Sequence, residues 1–144
     1  YETVPRVDPV VIMAVTDGAR IVLAHEERFP DKMYSTLAGY VEPGDDIPHA
    51  VRRETKEEVG LDVTDVRLIG SQPWPFPHSL MLGCVARAEP RELTVAAAEI
   101  TDAQWFSRED AQAMLELRHP QELWLPGAQS MAHHLVKAFI NGET

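Results

Sequence analysis

Cysteine is nearly missing from this chain: Cys84 is the single one in 144 residues. That excludes an internal disulfide and a zinc site built from four cysteines, and it makes a reducing cytoplasm the expected compartment. Long apolar runs are missing too. The longest aliphatic stretch, Val10-Val11-Ile12-Met13-Ala14-Val15, falls far short of the roughly 18 residues that cross a bilayer, so no membrane-spanning helix is expected. Positive charge is scarce, with 13 Lys and Arg against 23 Asp and Glu and a net charge of -10. Binding that rests mainly on phosphate contacts calls for a basic stripe, so broad nucleic-acid binding is disfavoured. An anionic substrate stays open if a metal ion stands between it and the protein. With 44% apolar and 25% charged residues and no repeats, one globular domain over residues 1–144 is expected.

Residues 10–15 read as a buried strand, and 20–24 as its return across Asp17-Gly18, the strongest short hairpin signal. Residues 34–41 read as a strand that ends in the turn Glu42-Pro43-Gly44. A helix is expected over 46–59, with Asp46 as N-cap, Pro48 in the first turn and Gly60 just past the end. Residues 63–71 and 80–88 read as strands. Between them, Gln72-Pro73-Trp74-Pro75-Phe76-Pro77-His78 reads as a stiff extended loop, because three alternating prolines cannot sit in a central strand. A strand at 99–106, a helix at 107–117 capped by Ser107 and a helix at 130–140 follow. The expected class is α+β, a mixed β-sheet sandwiched between helices.

The helix at 46–59 carries an unusual charge pattern. With Glu54 at zero on a wheel of about 100° per residue, Ile47, Ala50 and Val51 fall within roughly 60° of it. Glu57 and Glu58 fall within roughly 60° as well, so the three glutamates continue the apolar stripe. Arg52 and Lys56 lie opposite, and Arg53 on the flank. A solvated glutamate face would put carboxylates opposite the apolar stripe, the reverse of this pattern. Three carboxylates at i, i+3 and i+4 repel one another, and burying them unpaired is costly. A hard divalent cation with oxygen ligands, magnesium or manganese, relieves both problems.

These residues resemble a family signature. Gly39, Asp45, Arg53-Glu54, Glu57-Glu58 and Gly60-Leu61 are similar to the box of the Nudix hydrolases: G, five residues, E, seven residues, R-E-U-x-E-E-x-G-U, with U an aliphatic residue. Asp45 stands where the pattern has Glu, and Thr55 where it has an aliphatic residue. Asp45 keeps the charge on a shorter side chain, and the fold decides whether it reaches Arg53. The resemblance implies a Nudix fold and hydrolysis of a nucleoside diphosphate linked to another moiety. It implies that Glu54, Glu57 and Glu58, with the Gly39 carbonyl, hold Mg²⁺ or Mn²⁺. The implied catalytic set is Glu58, as the base that takes the proton of water, with Glu57 and Arg53. Arg53 is expected to orient a box carboxylate rather than touch substrate.

Downstream, Ser71-Gln72-Pro73-Trp74-Pro75-Phe76-Pro77-His78-Ser79 is similar to the SQPWPFPxS array of the NADH pyrophosphatase (NAD-capped RNA hydrolase) subgroup. Prolines restrict the backbone in advance, and aromatic faces suit a nicotinamide or adenine ring. The implied reaction splits NADH or NAD⁺ into a nicotinamide mononucleotide and AMP, and removes NAD caps from RNA. Implied substrate contacts are Tyr40, Gln72, Trp74, Ser79, Met81 and Ala132. Glu99 matches a further metal ligand, with Asp102 as the alternative. Val4 replaces the tyrosine of the subgroup's YPRxxP segment. A homodimer is expected, and the subgroup's four-cysteine zinc ribbon has no counterpart in these residues. Rival readings are a Nudix enzyme for ADP-ribose or another diphosphate, and a non-catalytic nucleotide sensor. His133 and His134 are adjacent and cannot chelate one ion well, so they read as packing residues. Cys84 reads as a small buried group, and Trp105 and Trp124 as core or interface.

Overall fold

The computed structural model describes residues 8–74 and 79–144. A strand without polar side chains suits burial on both faces. Residues 10–15 are such an apolar stretch and form the centre of β1 (Asp8–Thr16). The other strands are β2 (Arg20–Glu26), β3 (Leu37–Tyr40), β4 (Val63–Trp74), β5 (Ser79–Ala88) and β6 (Ile100–Ser107). The helices are α1 (Ile47–Val59), α2 (Arg108–Leu115) and α3 (Met131–Ile140). One mixed sheet runs in the order β4-β5-β1-β2-β6, with β3 also paired to β1. Alternation along β1 sends Val11, Met13 and Val15 into a core with Ala50, Val51 and Val59 of α1. Val10, Ile12 and Ala14 face the opposite core, with Met114 of α2 and Leu135, Val136 and Phe139 of α3. The expected α+β sandwich is the observed architecture.

The neighbour of β1 changes along its length. At Thr16 it pairs with Ile21 of β2, across the Asp17-Gly18 turn. Gly18 supplies the positive φ of 102°, and Asp17 Oδ1 accepts from the amides of Ala19 and Arg20 at 2.8 and 2.7 Å. From Met13 back to Val10 the partner is β3 instead. On its other edge β1 runs parallel to β5, placing Val10 beside Met81. The fork where β2 and β3 part from each other, covered by α1, is where the site forms.

Two expectations about elements are corrected. Gln72, Pro73 and Trp74 are strand rather than loop: β4 continues through Trp74, pairing Gln72 with Met81 and Trp74 with Ser79. The physical reason is that β4 is an edge strand with one partner, where a missing proline N–H is tolerated. Pro75, Phe76, Pro77 and His78 lie outside the described residues. The strand expected over 34–41 shrinks to β3, because the backbone before it bonds elsewhere: Ser35 with Ala24, and the Tyr34 amide with the Trp124 carbonyl at 2.9 Å. The expected helix caps hold, with Asp46 accepting from the His49 amide at 2.8 Å and Gly60 at a φ of 76°. Cys84 is fully buried. No helix among the described residues is long and apolar enough to cross a membrane.

Thr55 of α1 is fully buried, and its hydroxyl has no hydrogen-bond partner among the described residues. An orphaned buried hydroxyl is destabilising, and valine has the same shape without it. Thr55→Val is expected to raise stability by about 1 kcal/mol in urea denaturation, with an unchanged denaturant slope. A loss of stability would mean that the hydroxyl is satisfied in solution.

Candidate active site

Helix α1 packs its apolar stripe on the sheet, and the next turn of that stripe is acidic. Glu58 is carried inward and is only 8% exposed, and its Oε2 has no hydrogen-bond partner among the described residues. Burial, with repulsion from Glu54, Glu26, Glu99 and Glu57, pushes its carboxyl up to about 9. Glu54, one turn earlier, is held at 2.7 Å from Arg53 Nη1. Burial raises its pKa, against the pull of Arg53.

Arg53 is the counterweight. Its Nη2 donates to Asp45 Oδ2 at 2.6 Å and to the Tyr40 carbonyl at 3.2 Å, while Nη1 holds Glu54. The shorter Asp45 therefore does reach Arg53, and that bond draws its pKa below the usual carboxylate range. One guanidinium thus ties the loop after β3 to a carboxylate of α1. Gly39 lets the two meet, because a Cβ on it would overlap the Glu54 carboxylate.

A cleft of about 450 Å³ is lined by Glu54 and Glu58, and by Gly39, Tyr40, Ser79, Met81 and Glu99. A second cavity of about 320 Å³ includes Gln72, Met81 and Ala132 in its lining and is mostly apolar. Both share Glu26, Arg28, Ala38 and Met81, so they are adjoining halves of one groove. Gln72 Nε2 is used by the Gln129 carbonyl at 2.8 Å, whereas its buried Oε1 has no partner among the described residues. Tyr40 is 56% exposed at the mouth of the cleft. The Trp74 ring lies outside what the structure describes, although its backbone closes β4 opposite Ser79. Val4 lies outside the described residues too.

Not every expected residue converges. The Glu57 side chain is 61% exposed, stands 3.8 Å from Arg53 Nη1 and is not part of the cleft lining. The wheel gave it the same right to the stripe as Glu58, but the sheet covers only one flank of α1, and Glu57 falls on the open one. Glu99 enters the cleft, whereas Asp102 accepts from the Tyr34 hydroxyl and from Gln104 Nε2 at 2.6 Å. His133 is bonded through Nδ1 to the Pro126 carbonyl at 2.9 Å. Among the described residues no three acidic, histidine or cysteine side chains are grouped so as to hold a metal ion as they stand.

Sequence reasoning missed Glu26 and Arg28. The available signal was the abrupt charged run Glu26-Glu27-Arg28 after the apolar strand. Its use depends on a register shift between His25 and Glu26, a device that re-aims side chains at the ends of strands.

The crowding at Gly39 gives a prediction. Gly39→Ala must displace the Glu54 carboxylate, at a cost of about 1–3 kcal/mol in urea denaturation. Adding Glu54→Ala should recover most of that loss, because the obstructing atoms are gone. Additive losses in the double variant would sink this account of the glycine.

The sequence model of the NUDIX domain matches residues 5–126. The chain is 46% identical over 138 residues to "NAD-capped RNA hydrolase NUDT12" of Homo sapiens, covering 94% of this chain and 30% of that protein. It is 43% identical over 146 residues to "NAD-capped RNA hydrolase NudC" of Mycobacterium tuberculosis, covering 96% of this chain and 47% of that protein. The chain thus spans less than half the length of these relatives. Among solved structures, a NUDIX family hydrolase from Clostridium perfringens superposes with a TM-score of 0.70 at 17% identity, over 91% of this chain and 95% of that one. The NUDIX domain of Shewanella oneidensis NrtR, crystallised with ADP ribose, gives 0.69 at 10% identity, over 99% and 91%. At such identities the structures speak for the fold alone, but the sequence match spans most of the chain and carries the conclusion that it belongs to the NUDIX domain family.

Proposed function

We propose that this chain hydrolyses the pyrophosphate of NADH or NAD⁺ to a nicotinamide mononucleotide and AMP, and that the same chemistry removes NAD caps from RNA. The observation that carries the reading is the two-part groove. A carboxylate cleft adjoins an apolar pocket along a shared wall at Ala38 and Met81. A dinucleotide has the matching halves, an anionic pyrophosphate and a flat base. The relatives named NAD-capped RNA hydrolase support the same substrate class.

A divalent cation, Mg²⁺ or Mn²⁺, is part of this reading. The donors fit it: they are hard oxygens, and Glu58 Oε2 is buried without a partner among the described residues. Glu54, Glu58 and Glu99 of the cleft would hold the ion together with the Gly39 carbonyl, and Glu57 would join them only by turning in from its exposed position. When bound, the cation neutralises pyrophosphate oxygens and lowers the pKa of a water at the site.

The chain's own residues supply the rest. Glu58 accepts the proton of the attacking water, its carboxyl being kept ionised by the positive charge that a bound cation would bring to this acidic pocket. Arg53 acts as a positioning residue, fixing Glu54 through its bond to Asp45. Tyr40 offers a ring for stacking at the mouth, and Gln72 Oε1 offers an acceptor to an amide or amino group of the base. Ser79, Met81 and Ala132 shape the pocket walls. A homodimer is part of the proposal, with Leu68 and Ile69 of edge strand β4 as exposed apolar surface for the contact.

Incubation with NADH and Mg²⁺ or Mn²⁺ is expected to release AMP and reduced nicotinamide mononucleotide, and EDTA to stop it. ADP-ribose turnover with NADH untouched would overturn the substrate assignment. Glu58→Gln should cut turnover by about 100- to 10,000-fold while NADH still binds. Full activity in that variant would remove Glu58 from the mechanism.

A further inference from the structure

The groove is strongly acidic, yet one side chain in it is cationic. The carboxylate cleft is lined by Glu26, Glu42, Glu54, Glu58 and Glu99, and among its described residues Arg28 is the only cation. Arg28 is also the only cation among the described residues of the apolar pocket. It therefore stands at the seam between the halves. We propose that Arg28 binds phosphoryl oxygens of the substrate at this seam, gripping the phosphate next to the base-bearing half of the molecule. This deepens the NADH reading above and rests on it.

Three features support the assignment. First, Arg28 is already held. Its Nε donates to Glu26 Oε1 at 3.1 Å, and its guanidinium lies over the Phe29 ring, 5.0 Å from the centroid. A guanidinium held by one edge and one face has fewer arrangements to lose when an anion arrives. Second, the terminal nitrogens remain available, with no partner among the described residues, and the side chain is 76% exposed. A planar fork of free N–H donors matches two oxygens of a phosphate. Third, the ion pair with Glu26 is exposed at its Arg28 end, where solvent screens it, so holding the fold does not account for the arrangement. Glu26 is itself only 18% exposed, close enough to Glu58 to raise its pKa, and its attachment to Arg28 keeps a cation at the edge of the carboxylate cluster.

The geometry also explains why this cation coexists with an acidic cleft. Arg53 is consumed by Asp45 and Glu54 and has no fork left for substrate. Arg28, one residue beyond Glu27 whose amide bonds the Glu99 carbonyl at 3.0 Å, is anchored to the same rim without being consumed by it.

The test compares wild type with Arg28→Gln and Arg28→Lys. AMP and adenosine are titrated calorimetrically in the presence of Mg²⁺, and kcat and KM for NADH are measured separately. Arg28→Gln should weaken AMP binding by about 10-fold or more, the scale of a charged hydrogen bond, and leave adenosine nearly unchanged. Arg28→Lys should restore part of the AMP affinity, and KM for NADH should rise in Arg28→Gln at an unaltered melting temperature. Unchanged AMP affinity in Arg28→Gln, or an equal loss for AMP and adenosine, would overturn the proposal. Wild type that hydrolyses NADH while Arg28→Gln behaves identically overturns this inference alone. Wild type that neither binds AMP nor hydrolyses NADH overturns the NADH reading and this inference with it.

Discussion

Everything in this molecule is arranged around one electrostatic difficulty: several carboxylates converge in the same partly buried space. Glu58 is almost fully covered, and Glu54, Glu26 and Glu99 stand around it. Like charges repel, and Glu54 and Glu58 have also given up water. Arg53 answers part of this by binding Asp45 and Glu54 together. Arg28 pairs with Glu26 at the rim, and the buried Glu58 Oε2 is left without a partner among the described residues.

The apolar layers make that condition possible. Helix α1 is held on the sheet by Ala50, Val51 and Val59 against Val11, Met13 and Val15, all fully buried. That contact sets the rotation of α1, and the rotation carries Glu54 and Glu58 to the sheet without any attraction of their own. The opposite core, centred on Phe139, Leu135 and Met114, holds α3 so that Ala132 forms a wall of the second pocket. Stability is thus concentrated in two cores, while the site between their edges carries the unfavourable terms, a common trade between stability and function.

The fork in the sheet is the second organising feature. β1 exchanges β2 for β3 along one edge, and Glu26 at the end of β2 and Gly39 of β3 both line the carboxylate cleft. The parallel pairing of β5 on the other edge brings Ser79 and Met81 level with the same end of β1. Residues far apart in the chain, from Glu26 to Ala132, therefore line one continuous groove.

Much of this was legible before any tertiary contact was known. Helix α1 announced its own limits through Asp46 and Gly60, and its acidic stripe, with Gly39 upstream, marked the site and its family resemblance. These features are local: a cap bonds its neighbour, a left-handed turn calls for glycine, and helical spacing fixes which side chains share a face. The Pro73 and Trp74 backbone was misjudged, because only the strand order reveals that β4 is an edge. Glu57 and Glu58 look alike on a wheel, and only the packing of α1 decides that one is buried and the other exposed. Likewise Glu99 over Asp102, the reach of Asp45 to Arg53, and the presence of Glu26 and Arg28 in the groove depend on pairing between distant strands. Sequence alone determined the chemistry available and the local turns that carry it. Tertiary structure alone decided which of those groups meet, because the approach of distant segments is set by burial and sheet register, and neither is a property of any one stretch of chain.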